Sequence, residues 1–214
     1  MKENDLINEG VVSEFGTRLR LFHYLTDQPL TKKAFEFQLC RTLNSNQIKC
    51  AVTENSTLPG ADLVLEGSNQ KISLKTEGSK SLSRKKIYIS KLMEARWFRD
   101  CKTDQDLQVA IQKWVIPHLS HYDRILTLRS FSSNCGNYVS YQLVEIPIDL
   151  IKKCGRKSAL SFLKRSKGGS ATVTVMDEKN PKFQLTFDKS AEKVILKNLY
   201  ITDCILLANW TISI

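Results

Sequence analysis

Two short β-prone runs, residues 62–66 and 71–76, stand on either side of Gly67-Ser-Asn-Gln70, and no other stretch constrains the fold as tightly. Val64, Leu65, Ile72 and Leu74 suit a pleated surface, and the four residues between the runs suit a tight antiparallel reversal. A turn centred between Ser68 and Asn69 pairs residues whose numbers sum to 137. Asp62 is then expected opposite Lys75, and Val64 opposite Ser73, all on one face. A slip of one residue would turn that face the other way.

The surrounding sequence supplies helices and further strands. Residues 31–43 bring Phe35, Leu39 and Thr42/Leu43 to one helical face, with Thr31 placed as N-cap, which predicts a helix covering a sheet. Another helix is expected from about Ser90 through Leu92, Met93, Ala95, Trp97 and Phe98. A third is expected from about Asp104 to Ile116, its stripe of Leu107, Ala110, Ile111, Trp114 and Val115 ended by Pro117. Arg124–Phe131 and Tyr138–Ile148 read as strands joined by a polar turn, and β character returns in 171–176, 183–187, 194–199 and 205–214. Residues 77–86 carry a single apolar side chain and are expected to form an exposed, mobile loop. The sum is an α/β chain read as one domain over 1–214: a mixed central β-sheet flanked by helices, with its core in 30–145 and a basic, β-rich C-terminal part in 151–214.

With 214 residues, 42% of them hydrophobic, the chain can bury a core and is not a disordered polymer. Lys plus Arg number 32 against 22 Asp plus Glu, and the resulting charge of +10 favours a polyanionic partner. The first ten residues hold acids and no apolar run, and no apolar stretch approaches the roughly 20 residues that a bilayer needs. A cytoplasmic protein with no membrane partner is expected. The six cysteines form no Cys-x-x-Cys pair and are read as buried free thiols. His118 and His121 are spaced to share a metal but have no third ligand nearby. No phosphate-binding glycine loop, His-x-Lys pair or His-Asn-His cluster with zinc cysteines is present.

One constellation carries chemistry: an acid at the start of one strand and a lysine on the next, with further carboxylates close by. Hydrolysis of a phosphodiester needs positive charge where negative charge builds at phosphorus, which a hard cation held by carboxylates supplies. An ammonium beside it adds fixed charge and helps to orient or deprotonate the attacking water. A strand-borne Asp and Lys facing one another are also an ordinary cross-strand ion pair, worth ~0.2–1 kcal/mol.

Pro59-Gly-Ala-Asp62 followed by Ile72-Ser73-Leu74-Lys75, after a helix carrying Glu36, resembles the active-site hairpin of the PD-(D/E)xK nucleases, in a context similar to type II restriction endonucleases. The resemblance covers roughly residues 30–145 and implies a restriction-endonuclease-like fold. Asp62 matches the metal-binding acid and Lys75 the lysine, while Ser73 stands where most members have Asp or Glu. In members with a Ser-x-Lys motif the missing acid comes from a glutamate on the following helix, which points to Glu94, with Glu77 and then Glu36 as alternatives. The resemblance also implies a Mg²⁺ cofactor, a metal contact from the Leu74 backbone carbonyl, and products with a 5′-phosphate and a 3′-hydroxyl.

Basic side chains beside this hairpin, Lys80, Arg84, Lys85 and Lys86, are expected to meet DNA. So are Arg156, Lys157, Lys164, Arg165 and Lys167, from a stretch (151–170) with seven cations and no acid, and Asn134 in the Ser132-Ser-Asn134 turn. The whole reads as a sequence-specific endonuclease of double-stranded DNA. Cutting both strands of a palindrome calls for a homodimer, and the restriction role implies a cognate DNA methyltransferase. A DNA-binding module that has lost its metal site, and a repair or junction nuclease, are the competing readings.

Overall fold

The computed structural model describes residues 6–53, 60–78, 82–132, 137–166 and 169–214. In chain order the elements are α1 (Glu9–His23), α2 (Lys32–Ser45), β1 (Cys50–Val52), β2 (Leu63–Leu65), β3 (Lys71–Glu77), β4 (Lys86–Glu94), α3 (Asp104–Ala110), α4 (Ile116–Leu119), β5 (Arg124–Ser132), β6 (Tyr138–Ile146), α5 (Ile148–Lys152), β7 (Leu160–Phe162), β8 (Ala171–Asp177), β9 (Asn180–Asp188), β10 (Lys193–Tyr200) and β11 (Ile205–Ser213). The architecture is α/β, as the sequence implies. The strands divide between a six-stranded sheet ordered β1-β2-β3-β5-β6-β11 and a five-stranded sheet ordered β4-β10-β9-β8-β7.

The first compact unit comprises residues 1–82, 122–146 and 205–214. Its sheet is mixed: β3 and β5 run parallel, and every other neighbouring pair is antiparallel. α1 and α2 cover one face, on which Phe15, Leu19, Phe35, Leu39 and Leu43 meet Leu63, Ile72, Leu74, Leu126, Leu128 and Leu143 in a single core. The expected helix is α2, with Thr31 accepting from the Ala34 N–H at 3.3 Å and Phe35, Leu39, Thr42 and Leu43 all fully buried. α1 was not expected as a separate element, although Val11, Phe15 and Leu19 recur at helical spacing after an Asn8 cap. It packs so closely on the sheet that a Cβ at Gly16 would stand 2.7 Å from Trp210, whose indole N–H donates to the Val12 carbonyl.

A buried polar chain ties the end of α1 to β6. The Thr26 carbonyl can only accept, so in the neutral His23 ring Nδ1 carries the proton, at 2.9 Å from that oxygen. Nε2 then accepts from the Tyr141 hydroxyl at 2.9 Å, and that hydroxyl accepts from the Leu30 N–H at 3.1 Å. Burial pushes the Tyr141 phenol up from its ordinary pKa, against a smaller opposing effect of the Leu30 N–H.

The second unit comprises residues 83–121 and 147–204. Its sheet is wholly antiparallel, and the rings of Trp97 and Phe98 stand 5.8 and 5.6 Å from Phe187. The helix expected from Ser90 is instead the second half of β4, followed by a 3₁₀ turn at Arg96–Asp100. Ile87 and Ile89 are buried and alternate with exposed Tyr88 and Ser90, as a strand requires. A register irregularity against β10 between the Ile89 and Met93 pairings then buries both Leu92 and Met93. Two adjacent apolar residues followed by Ala95 and Phe98 imitate a helical stripe, which is why periodicity misreads this segment.

Pro117 does not end its helix either. A π-turn at Ile111–Val115, closed by the Ile116 N–H on the Ile111 carbonyl, separates α3 from α4, and Pro117 lies within α4. A widened turn of this kind accommodates a residue that has no N–H to donate.

The two sheets do not follow the 30–145 and 151–214 division. β4 leaves the first stretch to join the five-stranded sheet, and β11 returns from the second to pair with β6. Residues 77–86 are only partly a loop: Glu77 is a buried end of β3 and Lys86 opens β4, with 79–81 outside the described residues. The five described cysteines are free thiols. Among the described residues no helix is long and apolar enough to cross a membrane.

Replacing Tyr141 by Phe leaves the Leu30 N–H and His23 Nε2 without a partner inside the protein. The expected cost is about 1–3 kcal/mol, read as a lower midpoint of urea unfolding with an unchanged slope.

Candidate active site

The β2–β3 hairpin forms, but its register is shifted. Leu63 pairs with Ile72 and Val64 with Lys71, so paired numbers sum to 135, not 137. A slip of two residues leaves every side chain on its expected face. It changes the neighbours: Asp62 stands against Ser73, and Lys75 is two residues further along the strand.

Asp62 lies just ahead of β2 and is locked in place by main chain. Its N–H donates to the Ile72 carbonyl at 2.9 Å. Its carboxylate Oδ2 accepts the Leu74 N–H at 2.6 Å and the Ser73 hydroxyl at 3.3 Å. Within a strand one residue's N–H and C=O point to the same side. The Leu74 carbonyl is therefore also directed toward the Asp62 side, where β2 does not extend beyond Leu63. The other carboxylate oxygen, Oδ1, accepts from Lys32 Nζ at 2.7 Å, and that ammonium also lies 3.0 Å from Glu36 on the next turn of α2. Burial alone would lower the Lys32 pKa, but the two carboxylates outweigh it and raise it. Tyr122 is buried on the same side; burial first, and the Asp62 charge second, push its phenol well above the ordinary range.

Further along the same face, Lys75 is half-buried and in register with Thr127 of β5, and Glu77 with Arg129. Glu77 and Arg129 form an ion pair at 3.2 Å with side-chain exposures of 1% and 0%. Thr127 Oγ1 donates to the same Glu77 oxygen at 3.4 Å, and Arg129 also donates to Gln142 at 3.1 Å. A buried charge is tolerable only when paired in this way, so Glu77 acts chiefly as the counter-ion of Arg129.

Glu94 closes β4 in the second unit and is not on a helix. Its carboxylate is 60% exposed and 2.9 Å from Lys91, whose hydrogen bond, more than its charge, lowers the Glu94 pKa. Arg84 and Lys85 are exposed, while Lys86 stands 5.0 Å from the centre of the Tyr200 ring. Arg156, Lys157 and Lys164 are exposed. Arg165 is differently employed: it donates at 2.9 Å to each of the Cys101 and Thr103 carbonyls and lies over the Phe98 ring, so it braces the chain ahead of α3. Lys80, Asn134 and Lys167, like Pro59, lie outside the described residues.

Sequence reasoning passed over Lys32, Tyr122 and Arg129. The Lys32/Glu36 spacing at a helix start was visible, but nothing local announces that Asp62 comes to meet it.

Among the described residues no three His, Cys, Asp or Glu side chains are grouped to hold a metal ion unaided. The oxygen donors around Asp62 are two carboxylates, Asp62 and Glu36, and the Leu74 carbonyl. They suit a hard cation that keeps several waters, as Mg²⁺ does.

Comparison with known proteins supplies the class. Over residues 2–212 the chain matches the SmaI family, described as type II site-specific deoxyribonucleases. The type II restriction enzyme SmaI of Serratia marcescens is 34% identical over 209 residues, 96% of this chain and 81% of that enzyme. No solved structure matches. The chain belongs to the SmaI family: it is a sequence-specific DNA endonuclease of the restriction type, with DNA as its partner. This membership favours site-specific cleavage over a binding module without activity and over a structure-directed repair enzyme.

Arg129→Met should cost about 3–5 kcal/mol by leaving the Glu77 carboxylate buried and uncompensated. Adding Glu77→Gln should recover much of that loss. Denaturant unfolding of the two single variants and the double variant measures the coupling.

Proposed function

We propose that this enzyme cleaves double-stranded DNA with a PD-(D/E)xK-type site in its Ser-x-Lys form, requires Mg²⁺, and leaves a 5′-phosphate and a 3′-hydroxyl. The observation that carries the reading is the Asp62 carboxylate fixed by the Leu74 N–H and the Ser73 hydroxyl, immediately before Lys75 on the same strand. In this reading the Asp62 carboxylate, the Ser73 hydroxyl, the Leu74 carbonyl and the Lys75 ammonium serve one reaction centre on the hairpin.

Asp62 is the primary metal ligand in this reading, and the Leu74 carbonyl assists it. When bound, Mg²⁺ supplies positive charge opposite the charge that develops on the phosphate oxygens. Lys75 supplies a second fixed positive charge and orients the attacking water, a role open to a lysine held half-buried on a rigid strand. Ser73 adds no charge; its hydroxyl, at 1% residue exposure, orients the Asp62 carboxylate through their hydrogen bond. The second carboxylate is assigned to Glu36, supported by the one ammonium that touches both it and Asp62. Glu94, engaged with Lys91 in the second unit, and Glu77, engaged with Arg129, are the alternatives.

The DNA backbone is contacted by Arg84, Lys85, Arg156, Lys157 and Lys164, whose charges are exposed. Lys80, Lys86, Asn134, Arg165 and Lys167 belong to the same basic set by sequence. The active form is a homodimer, because two-strand cleavage at a symmetric site needs two such centres. A cognate DNA methyltransferase protects the host, and both proteins act in the cytoplasm, where the DNA lies.

Asp62→Ala and Lys75→Ala should each lower plasmid cleavage in Mg²⁺ by at least about 10²–10³-fold, while duplex binding in Ca²⁺ persists in gel-shift titrations. Cleavage that survives either change would remove that residue from the chemistry. Glu36→Ala compared with Glu94→Ala decides the second acid: loss of cleavage in the first alone is expected, and loss in the second alone would move the ligand to Glu94.

A further inference from the structure

The Asp62–Lys32–Glu36 contact has a consequence for how a cation enters. Lys32 Nζ is 2.7 Å from Asp62 Oδ1 and 3.0 Å from Glu36 Oε1. Each distance is that of a direct charge-assisted hydrogen bond. The two acids are 15% and 18% exposed, so both are largely withdrawn from water, and the lysine that neutralises them is 44% exposed. Two largely desolvated carboxylates turned toward one point repel each other unless a cation stands between them. Here the protein carries that cation on its own helix, on a long, flexible stem with an open path to solvent.

We propose that Lys32 is an internal counter-cation that holds the place of the divalent ion, keeps the two carboxylates aimed at one another, and is displaced toward solvent when the metal binds. The inference rests on the reading of Asp62 as metal ligand. It makes Lys32 a positioning residue that sets the metal concentration the enzyme needs. An ammonium and a divalent ion cannot share one oxygen pair, so part of the metal's binding free energy is used to expel the ammonium. Its removal should therefore tighten metal binding while costing stability in the absence of metal. A purely structural ion pair predicts the loss of stability without the gain in affinity.

The test uses the full chain without DNA. Mn²⁺ binding is followed by loss of the free-ion electron paramagnetic resonance signal, in parallel with thermal unfolding, for the wild type and for Lys32→Met, Lys32→Arg and Asp62→Asn. Lys32→Met should bind Mn²⁺ roughly tenfold more tightly, because one positive charge next to the ion is gone. Its melting temperature should be lower than that of the wild type without metal and rise further on adding Mn²⁺. Lys32→Arg should bind like the wild type, and Asp62→Asn should not bind measurably. If Lys32→Met binds no more tightly than the wild type while Asp62→Asn abolishes binding, the displacement proposal is overturned and the metal site stands. If Asp62→Asn binds like the wild type, the metal site itself is overturned, and the role of Lys32 with it. Should Lys32→Met fail to fold, Lys32→Gln read against Lys32→Arg makes the same comparison.

Discussion

The Asp62 carboxylate bonded to the Leu74 N–H and the Ser73 hydroxyl is the contact on which the candidate site depends. It uses a side chain where a strand would use its own carbonyl, at the point where β2 gives out and β3 continues. An acid is thereby held against the backbone of a strand whose other face is buried in the core through Ile72 and Leu74. The strand cannot slide by one residue without turning Ser73 and Lys75 in among leucines, so packing on one face fixes chemistry on the other.

β3 gains rigidity from its parallel neighbour. β5 is buried along eight of its nine residues, and its Thr127 and Arg129 fall in register with Lys75 and Glu77. The Glu77–Arg129 pair and its links to Thr127 and Gln142 make a fully satisfied polar patch beneath a sheet face that also carries Lys75. Satisfied in this way, such a patch specifies one arrangement of strands. Nearer the start of β3, Lys32 answers the charges of Asp62 and Glu36 from a side chain that is only half-buried. A buried pair fixed for structure and a partly exposed cluster around Lys32 thus lie along the same lysine-bearing strand.

Much of this was visible beforehand. The α/β class, α2 with its cap and buried face, the β2–β3 hairpin, β5 and β6, and the four C-terminal strands all follow from local periodicity, because each buries one face against a core. The identities of Asp62, Ser73 and Lys75 as neighbours also follow, since a two-residue slip preserves the face. The sequence misled where local pattern and tertiary pairing disagree. The irregular pairing of β4 puts Leu92 and Met93 inside together, and the π-turn before Pro117 allows a helix to run past a residue that usually stops one.

What the sequence determined alone is the set of alternating and 3.6-residue patterns, the basic balance, and the motif residues around the hairpin, all properties of neighbours along the chain. Only the tertiary structure decided that β4 leaves its neighbours for a second sheet and that β11 returns to the first. It alone decided that Arg129 claims Glu77 and that Lys32 joins Glu36 to Asp62. The Arg129–Glu77 contact alone links residues 52 positions apart. Their partners are selected by burial and by the demand that every enclosed charge be answered, which no local window of sequence records.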